Sequence, residues 1–302
     1  MTDTFRSPTI GAVCVLYGMA QVPPILVDLA RGGVEVSIID NSGDLASDGA
    51  KHAGVRVATP GLNLGYSKGV NRALAGLTSH PDVVLVVNPD IVGDPEALVA
   101  FAGAVAAVDR PLLAAPSGGR GYYGFLPRAP LWLVFVHYLF RTSWHPKPRR
   151  VEDQFLSGAL LGLNRGALDK LAPTGELLAP ELFFMDDVEL TDRARSLGCM
   201  VSELPLSGNL AHEGGTSMRR RAAVRIYFSR VSKVRYWKRR TPLGGWALRS
   251  FFRAETAFGR LLSDRRAGDG SPAHGFSAAA RWMARPNPSI DEEVLGNSDR
   301  RG

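Results

Sequence analysis

Apolar and polar positions along this chain switch between two periods, and the switching predicts the fold. Residues 10–17 are a short apolar run with β-branched content, which predicts a strand. Residues 23–31 carry apolar positions at helical spacing, and Gly32-Gly33 ends them. A second strand over 34–40 closes on Asp40-Asn41-Ser42-Gly43, whose side chains favour a turn. Residues 55–58 read as a third strand and 71–77 as a helix. The run 83–87 is Val-Val-Leu-Val-Val, with no polar residue, as the buried middle of a parallel sheet requires. It ends on Asn88-Pro89-Asp90, and a helix over 95–108 follows with Asp94 as its cap. Such alternation predicts an α/β fold: a parallel sheet with helices on both faces, joined by right-handed crossovers.

Beyond this half the pattern loosens. Residues 118–150 read as irregular, aromatic and basic, a long connection suited to a lid, an acceptor platform or a patch lying on a membrane. Residues 151–164 contain a buried strand, with Gly158 where another backbone or a ligand comes close. In the stretch Leu182-Phe183-Phe184-Met185-Asp186-Asp187-Val188-Glu189, an aromatic pair runs into carboxylates and a helix starts. Asp186 fits the N-cap and Glu189, three residues on, completes the capping-box spacing. Asp187 is left at the helix mouth, where the helix dipole should lower its pKa. After Gly198 comes a strand over 200–204, then a polar, glycine-rich loop over 211–217 that holds His212. Residues 219–240 are strongly basic without one acidic residue, and Ile226, Phe228, Val231, Val234 and Trp237 interleave with the charges at helical spacing. A second amphipathic stretch covers 246–262, and composition after Ser263 favours a disordered tail.

With 302 residues, 45% of them hydrophobic, the chain can bury a real core, as one large domain or one domain with an appendage. A net charge of +7 suggests anionic partners without choosing among them. The two cysteines, Cys14 and Cys199, lie in apolar runs and read as buried thiols of a reducing compartment; no Cys/His spacing suggests zinc. The first eight residues lack the features of a signal peptide, and the longest apolar run, 131–140, is far short of the ~20 residues that span a bilayer. A cytosolic protein is expected, with a membrane-touching face as an option.

Ligands of such sheets bind beyond the carboxyl ends of the strands, where Asp40 and Asp90 both fall. The turn after the third strand, residues 61–71, is framed by Gly61, Gly65, Gly69, Asn63 and Asn71. Glycine lets a ligand approach the backbone, and the following helix offers free N–H groups to a phosphate or sugar. The turn is neither G-x-G-x-x-G nor a P-loop, which disfavours nicotinamide and Walker-type sites. Each feature has a plainer reading: Asp is common in turns, acidic residues favour first helical turns, and a lone His is more often structural.

Taken together, five landmarks resemble a family 2 glycosyltransferase of the GT-A fold, in the bacterial rhamnosyltransferase-like branch. They are Ile38-Ile39-Asp40-Asn41-Ser42-Gly43; Asn63-Leu64-Gly65 with Gly69-Val70-Asn71; Val87-Asn88-Pro89-Asp90; Leu156-Ser157-Gly158-Ala159 followed by Phe184-Met185-Asp186-Asp187-Val188-Glu189-Leu190; and His212 with Gly214-Gly215-Thr216-Ser217. The match covers residues 8 to 240 and follows the family's order. Four positions depart from it: Leu16-Tyr17-Gly18 stands where the family has Thr-Tyr-Asn, Asn88 where the metal motif has its first carboxylate (as in much of this branch), Asp186 where the family has Glu, and Glu189 where it has Asp.

The resemblance implies an inverting transfer of a sugar, rhamnose or a similar hexose, from a nucleoside diphosphate such as dTDP-rhamnose or a UDP-sugar. Tyr17, Asp40, Asn63, Gly65, Gly69, Asn71, Asn88 and Asp90 fall on the donor side, and Ser157, Gly158 and Glu189 on the acceptor side. Asp187 is the expected base, with Asp186 beside it. Asp90 is the expected carboxylate for Mn²⁺ or Mg²⁺, with His212 able to complete the shell. The expected organisation is a GT-A domain over 1–217, a basic amphipathic helical extension over 218–263 and a disordered tail over 264–302. The implied acceptor is a glycan or a polyprenyl-diphosphate-linked sugar of cell-wall or surface polysaccharide, met at the inner face of the plasma membrane. The basic residues of 219–240 with Tyr227, Phe228, Tyr236 and Trp237 suit an anionic leaflet, or else a solvated or packed face.

Three rivals stay open. A sugar-1-phosphate nucleotidyltransferase shares the sheet but needs a cationic loop after the first strand, and Leu16-Tyr17-Gly18-Met19-Ala20 has none. A nucleic-acid binder leaves the carboxylates unexplained, so no nucleic acid is expected. An inactive sugar-nucleotide-binding relative would fit the changes at Asp186 and Glu189.

Overall fold

The computed structural model describes residues 7–45, 54–118, 124–140, 147–148, 150–213, 222–262 and 272–285. In chain order the elements are β1 (Ile10–Leu16), α1 (Pro24–Arg31), β2 (Glu35–Asp40), β3 (Val55–Ala58), α2 (Tyr66–Leu74), β4 (Val83–Val87), β5 (Ile91–Gly93), α3 (Pro95–Ala106) and β6 (Leu112–Ser117). There follow β7 (Phe125–Pro127), α4 (Leu131–Phe140), β8 (Gln154–Leu156), β9 (Leu160–Asn164), α5 (Arg165–Leu171), α6 (Asp186–Ser196), β10 (Met200–Pro205), β11 (Leu210–His212), α7 (Ala222–Arg240), α8 (Pro242–Leu262) and α9 (Pro272–Ala284).

Seven strands form one sheet in the order β10-β6-β9-β4-β1-β2-β3. Its neighbours are parallel except for β9, which runs antiparallel to both β4 and β6. The fold is therefore the mixed, mostly parallel α/β sheet that the alternating pattern predicts. Every residue of β4 is at most 1% exposed, because helices cover both faces. One face of β1 sends Ala12, Cys14 and Leu16 to a core shared with α1 and α3. The other sends Val13 and Val15 to a core with α2, α5 and α6. Both cysteines are free and buried, as expected, and burial pushes both thiol pKa values up.

Several elements differ from the reading of the pattern. Helix α2 starts at Tyr66, five residues ahead of the predicted start at 71, so Gly69 and Asn71 lie inside it. Gly69 is required there: a Cβ would sit 2.8 Å from Val15 of β1. The single strand expected around Phe155–Leu161 is two, β8 and β9, broken at Ser157-Gly158-Ala159. The supposedly irregular 118–150 contains α4, and the polar loop of His212 begins as β11, antiparallel to β5. Asp94 makes no cap bond to α3; its carboxylate accepts from Asn209 N–H at 3.3 Å. In the region assigned to a disordered tail, α9 packs on α7 and α8.

The chain divides into two compact units: Met1–Leu126, Gln154–Ala179 and Asp187–Gly214 in the first, Pro127–Asp153, Pro180–Asp186 and Gly215–Gly302 in the second. The second unit therefore takes two segments from inside the expected 1–217 domain. Within it α7 is a core helix. Tyr227, Phe228 and Tyr236 are at most 2% exposed, and Trp237 is 9%. Arg230 pairs with Glu255 at 2.6 Å and lies over the rings of Tyr138, Phe252 and Phe276. This corrects the expectation that the α7 aromatics meet a membrane: they fill the helical core. The remainder of that basic stretch, Arg219, Arg220 and Arg221, lies outside the described residues, as do Tyr122, Trp144 and Gly214 to Ser217.

Candidate active site

The site is built at the carboxyl ends of β1, β2 and β4, all in the first unit. Tyr17 follows β1, half-buried, beside the turn that closes β2. Asp40 is only 1% exposed, and its oxygens serve the turn. Oδ1 accepts from Ser42 N–H (3.1 Å), Ser42 Oγ (3.0 Å) and Gly43 N–H (2.9 Å), and Oδ2 from Leu45 N–H (3.1 Å). Asn41 pins the neighbouring glycine loop, donating to Gly65 O at 3.0 Å and accepting from Leu64 N–H at 3.2 Å. Asn63 accepts from Gly65 N–H at 2.9 Å, an Asx turn that leads into α2. Gly65 has φ 76°, which a side chain would resist.

Asn71 is placed differently from its donor-side expectation. Its amide clamps the backbone of Leu178, 107 residues away, donating to the carbonyl (2.7 Å) and accepting from the N–H (2.8 Å). Gly69 packs against Val15. Both therefore build the loop's support.

The other wall is the break between β8 and β9. Antiparallel pairing sets Val87 beside Leu160, and Asn88 N–H donates to Ala159 O at 2.9 Å. Asn88 thereby stands at the break, two residues ahead of Asp90. Ser157 is buried, its hydroxyl accepting from Ala159 N–H at 3.4 Å. Leu156 N–H donates to the buried Thr191 hydroxyl of α6 at 3.1 Å, tying the break to that helix. Gly158 N–H donates to Asp187 Oδ2 at 3.3 Å, and a Cβ on Gly158 would meet Asp187 Cβ at 3.3 Å. Tyr66 joins both walls: its hydroxyl donates to Asn88 Oδ1 at 2.9 Å and lies 3.4 Å from Gly158 O. Sequence reasoning missed Tyr66 and Thr191, although Tyr66 stands inside the glycine loop, where an aromatic hydroxyl is a signal in itself.

Asp187 departs from its expected electrostatics. Its Oδ1 accepts from Val188 N–H at 2.8 Å, and hydrogen bonds of this kind lower its pKa. Burial acts more strongly, and the carboxyl is raised to about 6. The expected lowering by the helix N-terminus thus loses to desolvation. The capping-box expectation is also modified. Helix α6 begins at Asp186 itself, and Glu189 pairs with Arg193 (3.0 Å), which donates onward to the carbonyls of Leu171 and Leu177. Ahead of the helix, Met185 has φ 72°, the one positive φ among non-glycine described residues.

Asp90 and His212 come together. The β5–β11 pairing sets Ile91 beside His212, and His212 Nε2 lies 3.1 Å from Asp90 Oδ1. Their side chains are 12% and 16% exposed. One carboxylate and one imidazole suit Mn²⁺ and, less well, Mg²⁺. Among the described residues no group of three or more His, Cys, Asp or Glu gathers to hold a metal alone. Diphosphate oxygens and water would have to supply the remaining ligands, so the pair fits a metal that arrives with the donor.

A mixed sheet carries a carboxylate–imidazole pair at one strand end and a half-buried carboxylate across a strand break from it, the places where the glycosyltransferase resemblance expects its metal ligands and its base. No family model matches the chain. It is similar to the N-acetylglucosaminyl-diphospho-decaprenol L-rhamnosyltransferase of Mycobacterium tuberculosis, 28% identical over 217 residues, 62% of this chain and 69% of that protein. That likeness bears out the glycosyltransferase resemblance read from the motifs. Among solved structures, it resembles glucosyl-3-phosphoglycerate synthase from Mycobacterium tuberculosis in complex with Mn²⁺, UDP and glucosyl-3-phosphoglycerate (TM-score 0.47, 19% identity, 77% of this chain and 80% of that one). It also resembles a mannosyltransferase from Pyrobaculum calidifontis in complex with GDP-Man and Mn²⁺ (TM-score 0.49, 13% identity, 93% and 81%). At such scores the fold rests on its own sheet order.

Proposed function

We propose that this chain is an inverting glycosyltransferase that moves rhamnose or a similar hexose from a nucleoside diphosphate to a hydroxyl of a polyprenyl-diphosphate-linked glycan. The observation that carries the reading is the path Asn88–Tyr66–Gly158–Asp187, which links the turn of Asp90 to a carboxylate whose pKa is raised to about 6. A base with that pKa is ionised at neutral pH yet still takes a proton well. Its place across the strand break suits an acceptor hydroxyl, and the Asp90–His212 pair suits the diphosphate. Asp90 and His212 would hold a divalent metal there, and it would offset the charge that develops on the leaving diphosphate. The glycine loop, fixed by Asn41 and Asn63, sets the N-terminus of α2 for the donor, while Asp40 acts by holding the turn beside Tyr17. As the anomeric carbon bonds to the acceptor oxygen, its bond to the diphosphate oxygen breaks and the nucleoside diphosphate leaves; Asp187 collects the acceptor proton, with no covalent sugar–enzyme intermediate.

The lipid-linked acceptor follows from the curated relative, whose name specifies a decaprenol-linked N-acetylglucosaminyl diphosphate. It implies work at a membrane surface, at the cytoplasmic face where nucleotide sugars are supplied. We assign transfer to the first unit and a supporting role to the helices of the second. Incubation with dTDP-rhamnose and a panel of UDP- and GDP-sugars, with and without polyprenyl-diphosphate-N-acetylglucosamine, tests the reading. Acceptor-dependent release of nucleoside diphosphate is expected with one donor. Binding of a donor with neither transfer nor hydrolysis would leave the inactive-relative reading in its place.

A further inference from the structure

The second unit carries an apolar outer face that the proposed chemistry does not use. Of the large hydrophobic side chains exposed among the described residues, half lie on α4 and α8. On α4 they are Trp132 (56%), Leu139 (63%) and Phe140 (74%), and on α8 Leu243 (83%), Trp246 (69%) and Phe258 (62%). The remainder are aliphatic, Leu62, Val92, Val99, Val151, Leu197 and Met200, and are spread over other elements. Spacing groups them by helix: 132, 139 and 140 share one face of α4, and 243, 246 and 258 one face of α8. The two helices pack through their other faces. Phe135 meets Phe251 edge-on at 5.0 Å, Tyr138 meets Phe252 at 4.7 Å, and a Cβ on Gly244 would fall 2.7 Å from Leu131.

Charge indicates what covers this face. Lys238, Arg239 and Arg240 are exposed at the end of α7, immediately before α8, and Arg253 is exposed on α8. From Ala222 to Leu262 the only acidic residue is Glu255, and it is paired to buried Arg230. Arg239 pairs with Glu181, and Lys238, Arg240 and Arg253 add positive charge near the helices. Exposed Trp and Phe on helices with such cations match the interface of an anionic bilayer, where indole rings sit at headgroup level. No described helix is long and apolar enough to cross a membrane, so such a face would lie on the surface.

We propose that the α4–α8 face docks the chain on an anionic lipid surface. It deepens the lipid-linked acceptor reading and rests on it only for the purpose of docking, since docking is measurable without sugar transfer. Full-length protein is floated with phosphatidylglycerol vesicles and with phosphatidylcholine vesicles. Binding to the anionic vesicles, falling with salt, is expected, and Leu243→Glu/Trp246→Glu should reduce it at least tenfold with an unchanged circular dichroism spectrum. Leu62→Glu, an exposed apolar position outside the face, should leave it unchanged. Absence of flotation at low salt, or undiminished flotation of the double variant, overturns the proposal. So does a concentration-dependent dimer that the double variant abolishes while vesicles are ignored, which would make the face a contact between copies. A chain that floats but transfers no sugar refutes the transferase reading alone; one that transfers to a water-soluble acceptor but never floats refutes docking alone.

Discussion

Asp187 shows how a single carboxylate is tuned by opposing terms. The N–H groups of Val188 and Gly158 stabilise its charge, while burial destabilises it, and burial wins by enough to reach about 6. The raised value sets the sign of the pH dependence. Below about 6 the group is protonated and cannot accept; above it the base is ready. The kcat/KM profile should therefore fall tenfold per pH unit on its acid side, with an apparent pKa near 6 in place of the ordinary carboxylate range. Asp187→Asn should lower kcat by roughly 10²–10⁴ while donor affinity, read by fluorescence or calorimetry, stays near wild type. Transfer by this variant at near wild-type rate removes Asp187 from the mechanism.

At the scale of elements, α2 carries the lesson. The glycine loop is held from below by α2, whose early start turns Gly69 onto Val15 and Asn71 onto Leu178. Asn71 is mid-helix and buried, where a polar side chain survives only with its hydrogen bonds satisfied. Asn71→Ala would leave the N–H and carbonyl of Leu178 buried without their partner. A loss of about 2–3 kcal/mol in urea unfolding is expected. Donor KM of the folded fraction should change little. A large rise in donor KM at unchanged stability would return Asn71 to the donor side.

For the molecule as a whole, the division into units falls between Asp186 and Asp187, just past Met185 with its positive φ. Within the second unit the approach to that point is anchored on α7: the Ser232 hydroxyl accepts from Phe183 N–H (3.1 Å) and Phe184 N–H (3.3 Å), and Arg239 pairs with Glu181. Every other candidate residue belongs to the first unit, including the metal pair. Because that pair supplies two donors, metal affinity should depend on the nucleotide. Mn²⁺ binding, followed by electron paramagnetic resonance, should tighten at least tenfold with UDP or dTDP present, and Asp90→Ala should abolish the gain. Full transfer in excess chelator would remove Asp90 and His212 from this role.

Periodicity in the sequence determined most of the first unit. Strands over 10–17 and 83–87 were legible because buried parallel strands need unbroken apolar runs, those over 34–40 and 55–58 because Val and Ile alternate with Glu35, Ser37 and Arg56, and the strand ends located Asp40 and Asp90. Motif order proposed Asp187 as the base and His212 as a partner of Asp90, and the fold sets those last two side chains 3.1 Å apart. Local pattern could not decide the rest. Whether Asn71 faces a ligand or a backbone depends on Leu178, 107 residues on. The pKa of Asp187 depends on how much water the fold removes, and no spacing rule contains that quantity. The amphipathic signature of α7 is the same whether its aromatic face meets lipid or protein, so only packing assigns Tyr227, Phe228 and Trp237 to the core and leaves Trp132 and Trp246 outside. Local propensity is written residue by residue, whereas burial is a property of everything that arrives from elsewhere in the chain.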